Sequence, residues 1–253
     1  MKTYFDQIVA DLKNLGLKQG DVVMVHSSYS AIGKSEKGPT EVIDALLTVI
    51  GKSGTLLMPG FKGGQQYSQA IENKPFEIKE TPSELGIISE IFRKNYPSKR
   101  SLHPTHSVTG LGSKSETLLE GHETCLISTG EKTPFDKLKT LNGKILLLGV
   151  DHSSNTFLHH AENTLGAPTL SKNKFTMKVI DYQDNLLKVD THPHLPGLPR
   201  GYDRLNNELP DSIQKKGKVG KADSFLIDAK LLYDYLKPLI AKNPLYLIKP
   251  FQI

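Results

Sequence analysis

The chain has one cysteine, Cys125, among its 253 residues, so an internal disulfide and a thiolate zinc cluster are both excluded. No apolar stretch approaches the length that spans a bilayer, and Met1 to Gln7 lack the apolar centre of a signal peptide. The expectation is a soluble, cytoplasmic protein with no membrane partner. Positive charge exceeds negative by 5, yet the lysines are spread along the chain and form no arm or tract. Their largest local excess, Lys215, Lys216, Lys218 and Lys221, reads as a solvated loop. Aromatic-rich basic stripes are missing as well, which argues against nucleic acid and leaves a mildly basic surface suited to an anionic ligand such as a nucleotide. No internal repeat, low-complexity segment or clear linker breaks the chain.

What is present is organised around residues 143–163. Ile145 to Val150 form a continuous apolar run after Gly143, the pattern of a strand buried on both faces. Asp151, Ser153, Ser154 and Asn155 can each cap a helix, whose first turns then fall on Thr156 to Asn163. On such a helix His159 and Glu162 share a face just beyond the carboxyl end of a core strand, where open α/β sheets bind ligands. The plain alternative is a hydrogen-bonding histidine without a catalytic part.

Before this segment, apolar spacing predicts helices over 4–15, stopped by Gly16, and over 39–50, stopped by Gly51. Short buried strands are expected at 22–25 and 55–58. The first runs directly into His26-Ser27-Ser28-Tyr29-Ser30, a turn rich in side-chain and backbone donors. Residues 63–79 read as an aperiodic flap, and Thr81-Pro82-Ser83-Glu84 as a helix opening with Pro82 at its first position. The stretch from Arg100 to Val108 concentrates anion-capable side chains, and short helices are expected over 113–119 and after Thr133-Pro134-Phe135. Later come strands at 174–180 and 186–190 around a Gln183-Asp184-Asn185 turn, an irregular proline-rich segment at 191–200, helices over 202–209 and 229–241, and a terminal strand at 246–248. Alternating strands and helices over the first two thirds imply one α/β domain spanning 1–253.

Taken together, His26-Ser-Ser-Tyr-Ser-Ala-Ile-Gly33, Leu56-Leu-Met-Pro59, Thr81-Pro-Ser83, Arg100-Ser-Leu-His-Pro-Thr-His-Ser-Val108, Thr133-Pro-Phe135, Leu146-Leu-Leu-Gly149 and Asn155-Thr-Phe-Leu-His-His-Ala-Glu162 resemble the aminoglycoside 3-N-acetyltransferase family in order and spacing along nearly the whole chain. The resemblance implies a three-layer α/β/α fold, unlike that of the common small acetyltransferases, with acetyl-coenzyme A as donor. It places the catalytic histidine at His159 with Glu162 completing the motif. It maps coenzyme contacts onto His26, Ser27, Ser28, Ser30, Arg100, His103, Ser107, Val108, Thr133 and Phe135. Acceptor-side candidates are Glu77, Asp190, His192 and His194, of which Asp190 matches only loosely.

The chemistry needs such a base. An amine with a pKa near that of lysine is protonated at neutral pH and cannot attack a thioester, whereas a histidine with a carboxylate neighbour can take its proton. His103 and His106 compete with His159 for that role, and Asp190 competes with Glu162. Donors near Ser28 and Ser107 could stabilise the oxyanion, at about 3 kcal/mol each, and Arg100 could meet coenzyme phosphates. Polycationic aminoglycosides call for carboxylates, but residues 191–200 offer His192, His194 and Arg200 instead, so the expected acceptor is an amino sugar in an anionic setting, such as a nucleotide-linked one, with aminoglycoside modification the default that the resemblance implies. Two other readings stay open. One is a metal-dependent hydrolase built on His152, His159, His160, His192 and His194 with Glu162 and Asp190. The other is a binding module that keeps a coenzyme pocket without turnover. The oligomeric state is also open, a homodimer included.

Overall fold

A computed structural model of the chain describes residues 3–33, 35 and 37–249. The helices are α1 (Tyr4–Leu15), α2 (Tyr29–Ile32), α3 (Pro39–Ile50), α4 (Gln66–Glu72), α5 (Ile87–Asn95), α6 (Ser115–Leu119), α7 (Pro134–Thr140), α8 (Phe157–Thr164), α9 (Leu205–Glu208) and α10 (Ala229–Lys242). The strands are β1 (Val22–Ser27), β2 (Thr55–Pro59), β3 (Phe76–Glu77), β4 (Lys99–Arg100), β5 (Val108–Gly112), β6 (Lys144–Leu148), β7 (Phe175–Ile180), β8 (Leu186–Thr191), β9 (Gln214–Val219) and β10 (Ala222–Asp228). Local chemistry explains the cleanest boundaries. Thr3 and Asp6 cap α1 reciprocally and Gly16 closes it in the left-handed conformation. Pro39 begins α3, where a missing N–H costs nothing.

Seven strands form the main sheet in the order β4-β5-β2-β1-β6-β10-β9. Its centre is parallel, with β1 between β2 and β6, and the flanking pairs are antiparallel. Alternation along the central strands sorts side chains into two cores. Val23, Val25, Leu56, Met58, Leu146 and Leu148 face α1, α3 and α5. Met24, Leu57, Ile145 and Leu147 face α7, α8 and α10. This is the expected three-layer α/β/α arrangement. A second, three-stranded sheet, β3-β7-β8, stands apart over a small core of Phe76, Ile78, Val179 and Val189.

The routes out of β1 and β6 matter most for function. From β1 the chain continues to α3 on one face, and from β6 to α8 on the other. Two adjacent parallel strands whose chains part in this way open a crevice at their carboxyl ends. Gly149 makes the turn out of β6 at φ +69, where a Cβ would come within 2.7 Å of the Ala31 methyl.

Several expectations need correction. Residues 63–79 are not aperiodic, because they contain α4 and β3. The helix expected from Pro82 starts only at Ile87, and the Glu90 carboxylate accepts the Ser83 N–H at 2.7 Å, so 81–86 form a turn tied back to the helix. The lysine-rich loop at 215–221 is the β9–β10 hairpin, with β9 at the sheet edge, where lysines discourage pairing with another chain. Residues 246–248 make a turn and one isolated bridge, Arg200 to Ile248, rather than a strand.

Several histidines are folded into this framework as neutral groups. Burial pushes His26 from the usual 6.5 to about 3, and burial likewise takes His122 and His160 to about 4. Each binds a proton more readily when unfolded, so their contribution to stability is intact above pH 6.5 and is lost as pH falls towards 4 and below. Melting temperature measured across this range should therefore fall steadily with acidification, and a flat profile would contradict the neutral, buried placement.

Candidate active site

His159 lies in the first turns of α8, three residues before Glu162, as the helix period requires. Its ring is partly open, at 23% side-chain exposure, while Glu162 is fully buried. The two are joined through His159 Nδ1 and Glu162 Oε2 at 3.2 Å. The Tyr202 hydroxyl stands 2.9 Å from the same Nδ1 and donates to the same Oε2 at 2.7 Å. Arg200 Nε adds a third donor to Oε2 at 3.2 Å. Burial and the Glu162 charge hold the Tyr202 hydroxyl well above its usual pKa, so it is a donor and not a phenolate. With Glu162 Oε2 as the acceptor, the geometry fits a proton on Nδ1 of His159, which leaves Nε2 its lone pair.

A second histidine, His194, lies against the first with ring centroids 4.4 Å apart. Asn163 Nδ2 donates to His194 Nε2 at 3.0 Å, so the His194 proton sits on Nδ1, which donates to Gln66 Oε1 at 3.2 Å. Gln66 Nε2 in turn donates to His106 Nε2 at 2.6 Å, and His106 Nδ1 to Ser128 Oγ at 2.6 Å. Each amide and ring thereby has a single consistent orientation. Burial, together with neighbouring histidines, keeps His106 and His194 well below the ordinary histidine range, which leaves them neutral walls.

Two cavities meet at His159. One, of about 330 Å³, runs from His26 and Ser27 at the end of β1, past Pro59, Leu85 and Ser89, to the Ser153–Thr156 turn and Tyr202. The other, of about 210 Å³, is walled by Gly64, Gln65, Gln66, His194, the 195–198 segment and Arg200. His159 lines both.

The structure brings His26, Ser27, His159, Glu162 and His194 to this region and places the other candidates elsewhere. Ser28 and Ser30 lie on the open turn after β1, with hydroxyls 3.1 Å apart. Arg100 is only 3% exposed, and its guanidinium donates to the Ile78 and Thr81 carbonyls. It braces the fold and does not present its charge to either cavity. His103 is fully buried beside Cys125 O and Thr105. Ser107 Oγ donates to Gly60 O, and the Val108 N–H is taken by Ser101 Oγ, so the oxyanion donors expected there are occupied. Thr133 donates to Gly130 O at the start of α7, and Phe135 is core.

On the acceptor side, the Asp190 carboxylate is held by Lys174 and Thr176 on the β7–β8 hairpin, so Glu162 and not Asp190 is the carboxylate at His159. Exposed Glu77 belongs to β3, and His192 Nδ1 donates to Ser171 O; neither lines the two cavities. The metal reading fails on the same grounds. His152 is bonded to Gln214 and His160 to Thr129 O, and among the described residues no three metal-capable side chains are arranged to hold a metal ion. Sequence reasoning missed Tyr202 and Gln66, and took Arg200 only as part of a cationic segment. Their partners lie far away in the chain, and no local spacing marks them.

A family model described as aminoglycoside 3-N-acetyltransferase matches residues 24–241. Aminoglycoside N(3)-acetyltransferase IV from Salmonella sp. is 30% identical over 249 residues, covering 96% of this chain and 90% of that protein. Among solved structures, AAC-IIIb in a binary complex with CoASH superposes with a TM-score of 0.81 at 25% identity, over 99% of each chain. A histidine-to-alanine mutant of aminoglycoside acetyltransferase AAC(3)-IVa in complex with a gentamicin gives 0.83 at 28% identity, over 99% of this chain and 93% of that one. With a partly open histidine over a buried carboxylate at the mouth of the β1–β6 crevice, the chain belongs to the aminoglycoside 3-N-acetyltransferase family and is an acyltransferase.

Proposed function

We propose that the protein transfers an acetyl group from acetyl-coenzyme A directly to an amine of an amino sugar, with His159 as general base. The observation that carries this reading is that His159, with its free Nε2, lines two cavities at once. A base in that place can meet an acceptor amine on one side and a thioester on the other.

The larger cavity suits the donor. It continues through Val150 and Ser154 into a surface groove that carries Lys221. That groove shares Asp223 and Phe225 with another, which carries Lys216 and Lys218. The two carboxylates in this trough are occupied, Asp151 by Ser153 and Asn206, and Asp223 by Lys218. A long donor with phosphates at its outer end fits a path that begins at the base and ends among lysines. His26 contributes a buried ring nitrogen with no partner among the described residues, beside the space the thioester would fill.

In the step itself, the lone pair of the neutral amine forms a bond to the thioester carbon, and the carbonyl electrons move to oxygen. The nitrogen passes its proton to His159 Nε2, and Glu162 supports the imidazolium through Nδ1. Collapse breaks the carbon–sulfur bond, and the departing thiolate takes the proton back from Nε2. No acyl-enzyme is needed. The smaller cavity suits the acceptor, and no aspartate or glutamate belongs to its lining, which favours a nucleotide-linked or otherwise anionic amino sugar over a polycation.

Replacing His159 by Ala should lower turnover roughly 100- to 10,000-fold while coenzyme A still binds, as read by thiol release and calorimetric titration; full turnover in the variant would contradict the base assignment. Lys221→Glu should raise the Kd for coenzyme A about tenfold relative to a distant surface control, Lys188→Glu. Equal affinities in the two variants would remove the lysine trough from the donor's path.

A further inference from the structure

Arg200 sits where the catalytic pair meets the acceptor cavity. Its Nε donates to Glu162 Oε2 at 3.2 Å and to the Tyr202 hydroxyl at 3.3 Å, and Nη1 donates to Leu198 O at 3.1 Å. Nη2 has no hydrogen bond among the described residues, and the side chain is 16% exposed in the wall of the smaller cavity. The guanidinium is therefore oriented by three bonds and keeps one terminal nitrogen for a ligand. A charged N–H donor of this kind favours a carboxylate or phosphate oxygen.

The charges around it point the same way. Glu162 is the carboxylate in contact with the His159 ring, and its charge is already matched by Arg200. Of the other titratable groups around His159, His194 and His106 are held neutral by burial, and Tyr202 keeps its proton. The acceptor wall consequently has no net negative charge with which to attract a polycation. A ligand carrying several ammonium groups would therefore find no net negative charge there to hold it, and the cation in that wall is of its own sign.

We infer that Arg200 is the acceptor-selecting residue: it binds a carboxylate or phosphate on an amino sugar while that sugar's amine faces His159, and it disfavours polycationic aminoglycosides. The inference rests on the transfer reaction proposed above. Arg200 is a specificity residue in this role and a positioning residue for Glu162, and the two roles are separable by experiment.

The test is thiol release from acetyl-coenzyme A with glucosamine 6-phosphate, muramic acid, methyl glucosaminide, a nucleotide-linked amino sugar and gentamicin, for wild type, Arg200→Gln and Arg200→Lys. For the wild type, the better of the anionic acceptors should exceed the neutral sugar and gentamicin in kcat/KM by about tenfold or more. Comparing the phosphate-bearing acceptors with muramic acid identifies which anion is preferred. In Arg200→Gln the KM for the anionic acceptor should rise about tenfold and that for gentamicin should fall, with Arg200→Lys recovering part of the preference for the anion. A purely structural role would lower turnover of all acceptors together, and that result would overturn the inference. Wild-type preference for gentamicin would overturn it as well, while leaving the transfer reaction in place. No thiol release with any member of the panel would contradict the transfer reaction itself, and the inference with it.

Discussion

A carboxylate taken out of water keeps its charge only where donors replace the lost hydration. Glu162 is fully buried, and Tyr202, Arg200 and His159 all converge on its Oε2. Much of the site follows from satisfying that one oxygen, since Oε1 has no partner among the described residues. The His159 tautomer is set, so its other nitrogen is free. Residues 200–202 are drawn against α8, which makes the proline-rich segment before them a wall of the smaller cavity. Tyr202 reaches across to line the larger cavity too.

The fold supplies the place for this arrangement. Parallel β1 and β6 lie side by side, and their following segments leave to opposite faces of the sheet. The resulting crevice receives His26 and Ser27 from one strand and the 151–156 turn from the other. Because α8 begins directly after that second turn, His159 is held by a helix anchored in the core through Phe157, Leu158 and Ala161. A side chain on such a support loses little freedom when a ligand arrives.

How much of this could be read from the chain depended on separation in sequence. His159 and Glu162 are three residues apart, and helix geometry alone brings them together. The central strands and the helices at 4–15 and 39–50 were equally readable, because burial and caps are written locally. Tyr202 and Arg200 reach Glu162 across 40 and 38 residues, and nothing in their own surroundings announces it. Arg100 and Ser107 misled for the opposite reason. Their neighbourhood is dense in polar side chains, but it turns them inward to carbonyls. Likewise His103 and His106 could be separated from His159 as candidate bases only by burial, and lysines at the β9 edge resemble a loop because edge protection and solvation select the same residue.

The claim that most needs testing is that Glu162 fixes His159 with its proton on Nδ1. Glu162→Gln keeps the shape but can turn an amide N–H towards Nδ1, which would leave the proton on Nε2 and remove the base. Steady-state thiol release from acetyl-coenzyme A, with an acceptor that the wild type turns over, should then fall by up to about 10,000-fold while the affinity for coenzyme A is kept. A loss of less than about tenfold would contradict the account, since the tautomer would not depend on the carboxylate.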